Sequence, residues 1–501
     1  MAGDAAGGHG AMELDVGLRD DAALTSAPTS GPVWVPGSTM AIVPMVLLLC
    51  ALSYATEAQG AFYPGPFHGF VVLVALALVA AIATHRTRSW IRSVATDPVV
   101  VMAVVLSLVT EVSAGAAGHW TAATGTVAAL LTLAGAVAVV RGLTPDHRRL
   151  LVAGLVTLGS VVAVVGWVAV VARWQPDALV SQGLWRASST LTYENALAAY
   201  LTAPALLALD RLLSRGGGDL GWREASYLLL LGVGASLSRG GLLGLAIGFV
   251  ALVLLHRGRT LVQVVPVLLG TVTAVACLAP GVPVGASPHV VLAIVGLAAG
   301  AVISAAPVTL DRRRGRLAAG VLGGAVVALV LAVAVTGRGA GEIARVRLSA
   351  ASSDRAHEWG AAWTIARHHL ALGVGAARVL LQWQVGGKLY TATFAHNEFL
   401  QLLVQDGVVG LAVLVAGLTW MTVRLARRRG GENASSGTWV TPSCAIACLV
   451  ALVVESSLDF VWHLPVIPVL VAVVLAAALD DRPTASPPET TRSSEDLILR
   501  A

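Results

Sequence analysis

Apolar runs long enough to cross a bilayer recur along almost the whole chain, and they constrain its fold more than any other feature. The stretch 150–172, for example, contains no charged residue. Lipid offers no partner for a backbone N–H or C=O, so a spanning segment must satisfy its own hydrogen bonds as a helix or join a closed barrel. These runs are continuous rather than alternating, which selects the helix. Of the 501 residues, 56% are hydrophobic and 12% are charged. Soluble domains carry roughly 25% charge, so this chain lacks the polar residues to cover a water-facing surface. The expected class is an all-α polytopic membrane protein with about 12–14 transmembrane helices and one large extracytoplasmic loop that itself contains helix.

The organisation follows from composition. Residues 1–38 are rich in Gly, Ala and Asp, lack a signal-peptide pattern and read as a disordered cytoplasmic tail. Residues 39–336 hold transmembrane helices 1–11, with the seventh and eighth meeting at Ser238-Arg239-Gly240-Gly241. A loop spans 337–395, helices 12–14 span 396–480, and 481–501 form a Pro/Ser/Thr/Glu-rich cytoplasmic tail. Arginine clusters such as Arg86/Arg88/Arg92 and Arg424/Arg427/Arg428/Arg429 fall on alternate connections, whereas 58–66, 114–119, 280–288 and 459–461 contain no Lys or Arg. The positive-inside bias then places both termini in the cytoplasm and the 337–395 loop outside. The net charge of +5 resides in those clusters, so it indicates a membrane topology rather than a nucleic-acid partner. Cys50, Cys277, Cys444 and Cys448 lie in apolar runs and read as packed thiols. No metal motif or cofactor fingerprint is expected.

The loop is the densest source of chemistry. It carries Arg338, Arg345, Arg347, Arg355, Arg367, Arg378 and Lys388. Ser353 begins a helix running to about His368, with Asp354 and Glu358 in its first turn, where negative charge suits the helix dipole. Trp359, Trp363 and Ala366 share a face suited to the membrane interface. Gly373-Val374-Gly375 then turns the chain back toward the membrane, and His396 and Asn397 stand at the mouth of the next helix, with Gln401 one turn on. Histidine titrates near neutral pH, which makes His396 either a general base or a hydrogen-bonding residue at a helix start. Outside the loop, Arg173, Arg186 and Arg239 fall on the outer side against the charge bias. Arg173 reads as a headgroup contact and Arg239 as functional. Arg186 and Asn195 flank the sixth helix, and Glu194 can pair with an arginine. Glu455 and Asp459 lie one turn apart and either pair with loop arginines or serve a carrier. Arginine forks bind phosphate oxygens bidentately, so a lipid-linked diphosphate is the natural ligand.

The order of these pieces resembles the O-antigen ligase / O-antigen polymerase-like family over roughly residues 185–480. The residues that carry the resemblance are Asn195, Ser238-Arg239-Gly240, Arg355 with Trp359, Gly373-Val374-Gly375, and His396-Asn397 through Gln401, Asp406, Gly407, Gly410 and Leu411. The resemblance implies a metal-independent, inverting glycosyltransferase in the bacterial cytoplasmic membrane. It would transfer or polymerise a glycan from an undecaprenyl-diphosphate-linked donor at the outer face, with a glycan, lipid or protein as acceptor. It implies that Arg239 and Arg355 hold the diphosphate, that Arg186 and Asn195 line the donor site, and that His396 deprotonates or orients the acceptor hydroxyl, with Asn397 and Gln401 in support. The chain departs from the family pattern at Tyr193-Glu194-Asn195, at His368-His369-Leu370 and at Asp406, where the family often has Asn-Pro-Asn, a proline and a glutamate. The alternatives are a transporter or flippase for a lipid-linked or hydrophilic substrate, and a non-catalytic scaffold.

Overall fold

The computed structural model describes residues 40–85, 87–215, 219–256, 261–306, 353–376, 379–431 and 439–479. The expected eleventh helix, the two tails, and Arg338, Arg345, Arg347 and Arg378 lie outside these residues. In chain order come α1 (Val43–Glu57), α2 (Pro64–His85), α3 (Arg88–Ala95), α4 (Pro98–Ala116), α5 (Thr124–Gly142) and α6 (Pro145–Ala172). A hairpin of β1 (Ala178–Ser181) and β2 (Leu184–Ala187) follows, then α7 (Glu194–Arg215), α8 (Leu220–Ser236), α9 (Arg239–Leu255), α10 (Val265–Leu278) and α11 (Val290–Ala305). After these come α12 (Ser353–His368), a second hairpin of β3 (Leu381–Val385) and β4 (Lys388–Ala392), α13 (Glu398–Gly431), α14 (Pro442–Ser456) and α15 (Val466–Ala478). Among the described residues seven helices are long and apolar enough to cross a membrane, and five shorter apolar helices accompany them. The protein is therefore an all-α polytopic membrane protein.

Helix α7 is the axis of the bundle, since its apolar window is wholly buried. It packs on α6, α8, α9, α14 and α15. Small residues permit this. A Cβ on Gly241 would lie 2.2 Å from the Cβ of Ala198, so the start of α9 sits almost on the α7 backbone. Among the described residues, Arg141, Arg223 and Arg424 gather at one end of the helices, where their side chains cover terminal carbonyls. Arg141 reaches Leu479 O, Arg424 reaches Thr96 O at 2.7 Å, and Arg223 reaches Ala306 O at 3.0 Å. Trp439 lies between the Arg149 and Arg211 guanidiniums, 4.3 and 4.2 Å from its ring centre.

Three elements go beyond what the apolar pattern indicates. Helix α3 is a short amphipathic segment capped by Thr87, which accepts from Trp90 N at 3.2 Å. The two hairpins turn at Gln182-Gly183 and Gly386-Gly387, each pair with positive φ, as a two-residue turn of this hand requires. The loop helix α12 has the expected bounds, but its buried face differs. Ala362 and Ala366 are fully buried against Val379, Leu381, Ala395 and Val404, while Trp363 is half exposed, so Ala366 faces the protein core and not the interface with the tryptophan.

Helix α13 is broken at Gly407, whose φ of 67° and ψ of −165° leave the helical region. The break strips the Val404 and Gln405 carbonyls and the Val408 N–H of their helical partners. The Gly373-Val374-Gly375 turn takes them over. Val374 N donates to Val404 O and Gly375 N to Gln405 O, both at 2.9 Å, and Val408 N donates to Leu370 O at 2.7 Å. Ser113 on α4 donates to Leu372 O and sits 2.7 Å from Gln405 O, and Thr110 donates to Asp406 Oδ2 at 2.6 Å. Irregular backbone inside a membrane span survives only where protein satisfies it, and here two turns satisfy each other.

Candidate functional site

A polar cavity of about 380 Å³ opens at the end of the bundle opposite the arginine clusters. Its walls come from the β1–β2 hairpin, the starts of α7 and α9, helix α12, the bend before α13, and the end of α14. Five of the seven expected site residues line it: Arg186, Asn195, Arg239, Arg355 and His396. Asn397 and Gln401 do not.

The α8–α9 junction positions Arg239. Leu237 takes a left-handed conformation (φ 50°), and Ser238 then caps α9 by accepting from Gly241 N at 3.2 Å. Arg239 becomes the first helical residue, beside backbone N–H groups that favour an anion. Gly241 serves the helix crossing with α7 rather than a ligand.

Asp459 is the hub of the cavity. Its Oδ2 accepts from Tyr193 Oη at 2.8 Å and from Asn195 Nδ2 at 2.6 Å, and lies 3.4 Å from Arg355 Nη2. Burial, with the Asp459 carboxylate beside it, pushes the Tyr193 phenol far above its ordinary value, so Tyr193 stays protonated and donates. The expected pairing of Asp459 with a loop arginine is thus with Arg355, which keeps about a third of its side chain exposed. Arg186 is more enclosed. It pairs with Glu194, donates to Ser236 O at 2.9 Å and to Asn195 Oδ1 at 3.1 Å. This network braces the α7 start and leaves Arg186 one edge on the cavity. Arg173 caps α6 and donates to Gly281 O at 3.3 Å, away from the cavity.

His396 occupies a backbone conformation with φ of 45°, sparsely populated for a side-chain-bearing residue. Its neighbours impose it. Asn397 Oδ1 caps α13 by accepting from Leu400 N at 3.0 Å, and Gln401 Oε1 accepts from Ala395 N at 3.0 Å. These two residues shape the bend that presents the imidazole. His396 Nδ1 lies 2.8 Å from Glu358 Oε2, and the ring meets Phe460 edge-on at 4.9 Å between centres. Phe460 stacks in turn on Tyr193 and Phe394, at 5.2 and 4.9 Å. Glu455 forms the cavity floor and accepts from Thr202 at 2.8 Å.

Phe394 also contacts Phe62 and His463, which line a second, mostly apolar cavity of about 650 Å³ between α2, α4, α5, α13 and α15. Gln401, Glu398 and Asp406 give this cavity a polar stripe along α13. His396 therefore stands beside an aromatic wall between a polar chamber and an apolar one.

Sequence reasoning missed Glu358 and Tyr193 as parts of the site. Glu358 is sufficiently explained in sequence by the helix dipole, and nothing local links it to a residue 38 positions on. Tyr193 carried a signal only as the residue beside Glu194-Asn195.

A family model described as O-Antigen ligase matches residues 289–415. The match runs from α11 into α13 and so takes in α12, the Gly373-Val374-Gly375 turn, His396 and the Gly407 break. No curated protein matches the chain. The chain is thus a multi-pass membrane protein whose segment 289–415 is similar to the O-antigen ligase family.

Proposed function

We propose that this protein transfers or polymerises a glycan from a polyprenyl-diphosphate-linked donor at the outer face of a bacterial cytoplasmic membrane, as an inverting glycosyltransferase. The observation that carries the reading is the meeting of Arg239, Arg355 and His396 in one cavity, from segments far apart in sequence. In this reading the diphosphate spans Arg239 and Arg355 and draws Arg355 from Asp459. The two guanidiniums take the leaving-group charge in the role a divalent cation often fills. The imidazole of His396 accepts the proton of the acceptor hydroxyl. The hydroxyl oxygen attacks the anomeric carbon from the face opposite the diphosphate, the carbon–oxygen bond to the diphosphate breaks, and its electron pair leaves with the polyprenyl diphosphate. The resemblance to the O-antigen ligase family implies undecaprenyl diphosphate as the carrier and a glycan, a lipid or a protein as the acceptor.

The test uses purified protein and a polyprenyl-diphosphate oligosaccharide. The wild type should release polyprenyl diphosphate and form a glycan product. His396→Ala should lower the rate by about 100-fold or more at unchanged thermal stability. Equal release with and without protein would end the enzyme reading, and a normal rate for the variant would end the role of His396.

A carrier is the second reading, favoured by the broken α13 and the buried Glu455. In carriers, however, a helix break exposes backbone to the substrate. Here the break is closed by the Gly373-Val374-Gly375 turn. Passage of the lipid-linked glycan across sealed vesicles without product formation would favour the carrier.

A further inference from the structure

We infer that Glu358 is the positioning residue for His396, and that helix α12 sets the base and the diphosphate-binding arginine together. The inference rests on the glycan-transfer reading and adds a residue and a coupling to it. Glu358 Oε2 stands 2.8 Å from His396 Nδ1, and the Glu358 side chain is about nine-tenths buried. A carboxylate only accepts hydrogen bonds, so Nδ1 carries the proton of the neutral ring and the lone pair is left on Nε2. That is the tautomer a base needs for a hydroxyl approaching from the far side of the ring. When Nε2 takes the proton of the acceptor hydroxyl, the imidazolium forms against the Glu358 carboxylate, which stabilises it where the charge appears. The proton then passes to solvent and the pair returns to its starting state. Phe460 packs edge-on against the ring, 4.9 Å between centres.

The second half of the inference is geometric. Arg355 and Glu358 are three residues apart on α12, about 4.5 Å along its axis and on adjoining faces. Arg355 reaches across to Asp459 on the α14 side, and Glu358 reaches His396 at the α13 start. One rigid turn of helix therefore joins the anion site to the base. A shift of α12 that opens one displaces the other. The seat of α12 is itself fixed by Ala362 and Ala366, buried against Ala395 next to His396 and Val404 in α13.

The experiment compares the wild type with Glu358→Gln, Glu358→Asp, Glu358→Ala, His396→Ala and the double variant Glu358→Ala/His396→Ala. Each is purified, checked for thermal stability and assayed with a polyprenyl-diphosphate oligosaccharide. Glu358→Gln, nearly isosteric, should lower kcat by about 100-fold or more while donor KM stays within about threefold. Glu358→Asp, which keeps the carboxylate, should recover at least about tenfold of that loss. The double variant should be no slower than His396→Ala alone, because Glu358 acts only through His396. A Glu358→Gln enzyme with normal kcat overturns the inference. So does a loss confined to donor KM, or a double variant slower than His396→Ala by a further large factor. A fully active His396→Ala enzyme would instead remove the underlying reading of the base, and an inactive wild type the transferase reading itself.

Discussion

Asp459 gathers the polar groups of the site onto one atom. A single carboxylate oxygen collects a phenol, an amide and a guanidinium. A diphosphate offers Arg355 more acceptor oxygens than Asp459 does, in the geometry a planar fork prefers. Shape should therefore matter as much as charge at position 355. Arg355→Lys keeps the charge but loses the fork, and donor KM should rise by about tenfold with a smaller change in kcat, measured by initial rates over a donor series. Chemical type was legible at this scale. Arg239, Arg355, His396 and Asn195 each stand out against an apolar background, where a polar group is costly and needs a reason. Partnership was legible only in part, in Glu194 with an arginine and Asp459 with a loop arginine. Glu194 near Arg186 is a local pair that spacing foreshadows, whereas Glu358 with His396 and Tyr193 with Asp459 exist only after distant segments meet.

Among the elements, the paired turns at Gly373 and Gly407 are the most constrained. A Cβ on Gly373 would fall 2.3 Å from Gln405 O, and one on Gly407 would fall 2.3 Å from Ala371 O. Both contacts are to backbone, which cannot rotate aside. Both residues also have positive φ, 69° and 67°, where a side chain adds strain. Gly407→Ala should destabilise the protein by about 2–5 kcal/mol, combining strained backbone with overpacking. The check is the thermal unfolding midpoint in detergent, with Gly410→Ala, whose nearest neighbour is the Asp406 side chain, for comparison. The sequence marks Gly373-Val374-Gly375 as a turn toward the membrane, and that much is visible from glycine spacing. The break falls at Gln405-Asp406-Gly407, a polar Asp-Gly step inside an otherwise apolar run, and that breaker signal also went unused. The Gly-Gly turn between Gln382-Trp383-Gln384-Val385 and Lys388-Leu389-Tyr390 is a hairpin signal that was present and went unused.

Over the whole molecule, the apolar runs and the spacing of arginine clusters carried the architecture. The helices run between one end braced by arginines on terminal carbonyls and another that holds the polar cavity. If the positive-inside bias governs this chain, the two ends face opposite sides of the membrane. Single cysteines at the Gly386 hairpin tip and at Arg149, in a background without Cys50, Cys277, Cys444 and Cys448, would test this. A membrane-impermeant thiol reagent added to intact cells should label the Gly386 position and spare the Arg149 position until the membrane is opened. The reverse pattern would invert the topology. The juxtaposition of the cavity walls could not be read from the chain, since helix packing in lipid depends on small-residue contacts such as Gly241 on Ala198 that periodicity does not reveal.

The order in which the cavity's charges meet has a consequence for biosynthesis. Arg186 and Glu194 are eight residues apart, so their charges can neutralise each other as soon as the α7 region leaves the ribosome. Asp459 is the last wall residue but one to be synthesised, and Arg355, Asn195 and Tyr193 must await it. A nascent chain is thus spared an unpaired arginine at the α7 start, yet has no assembled polar cavity until α14 has been inserted.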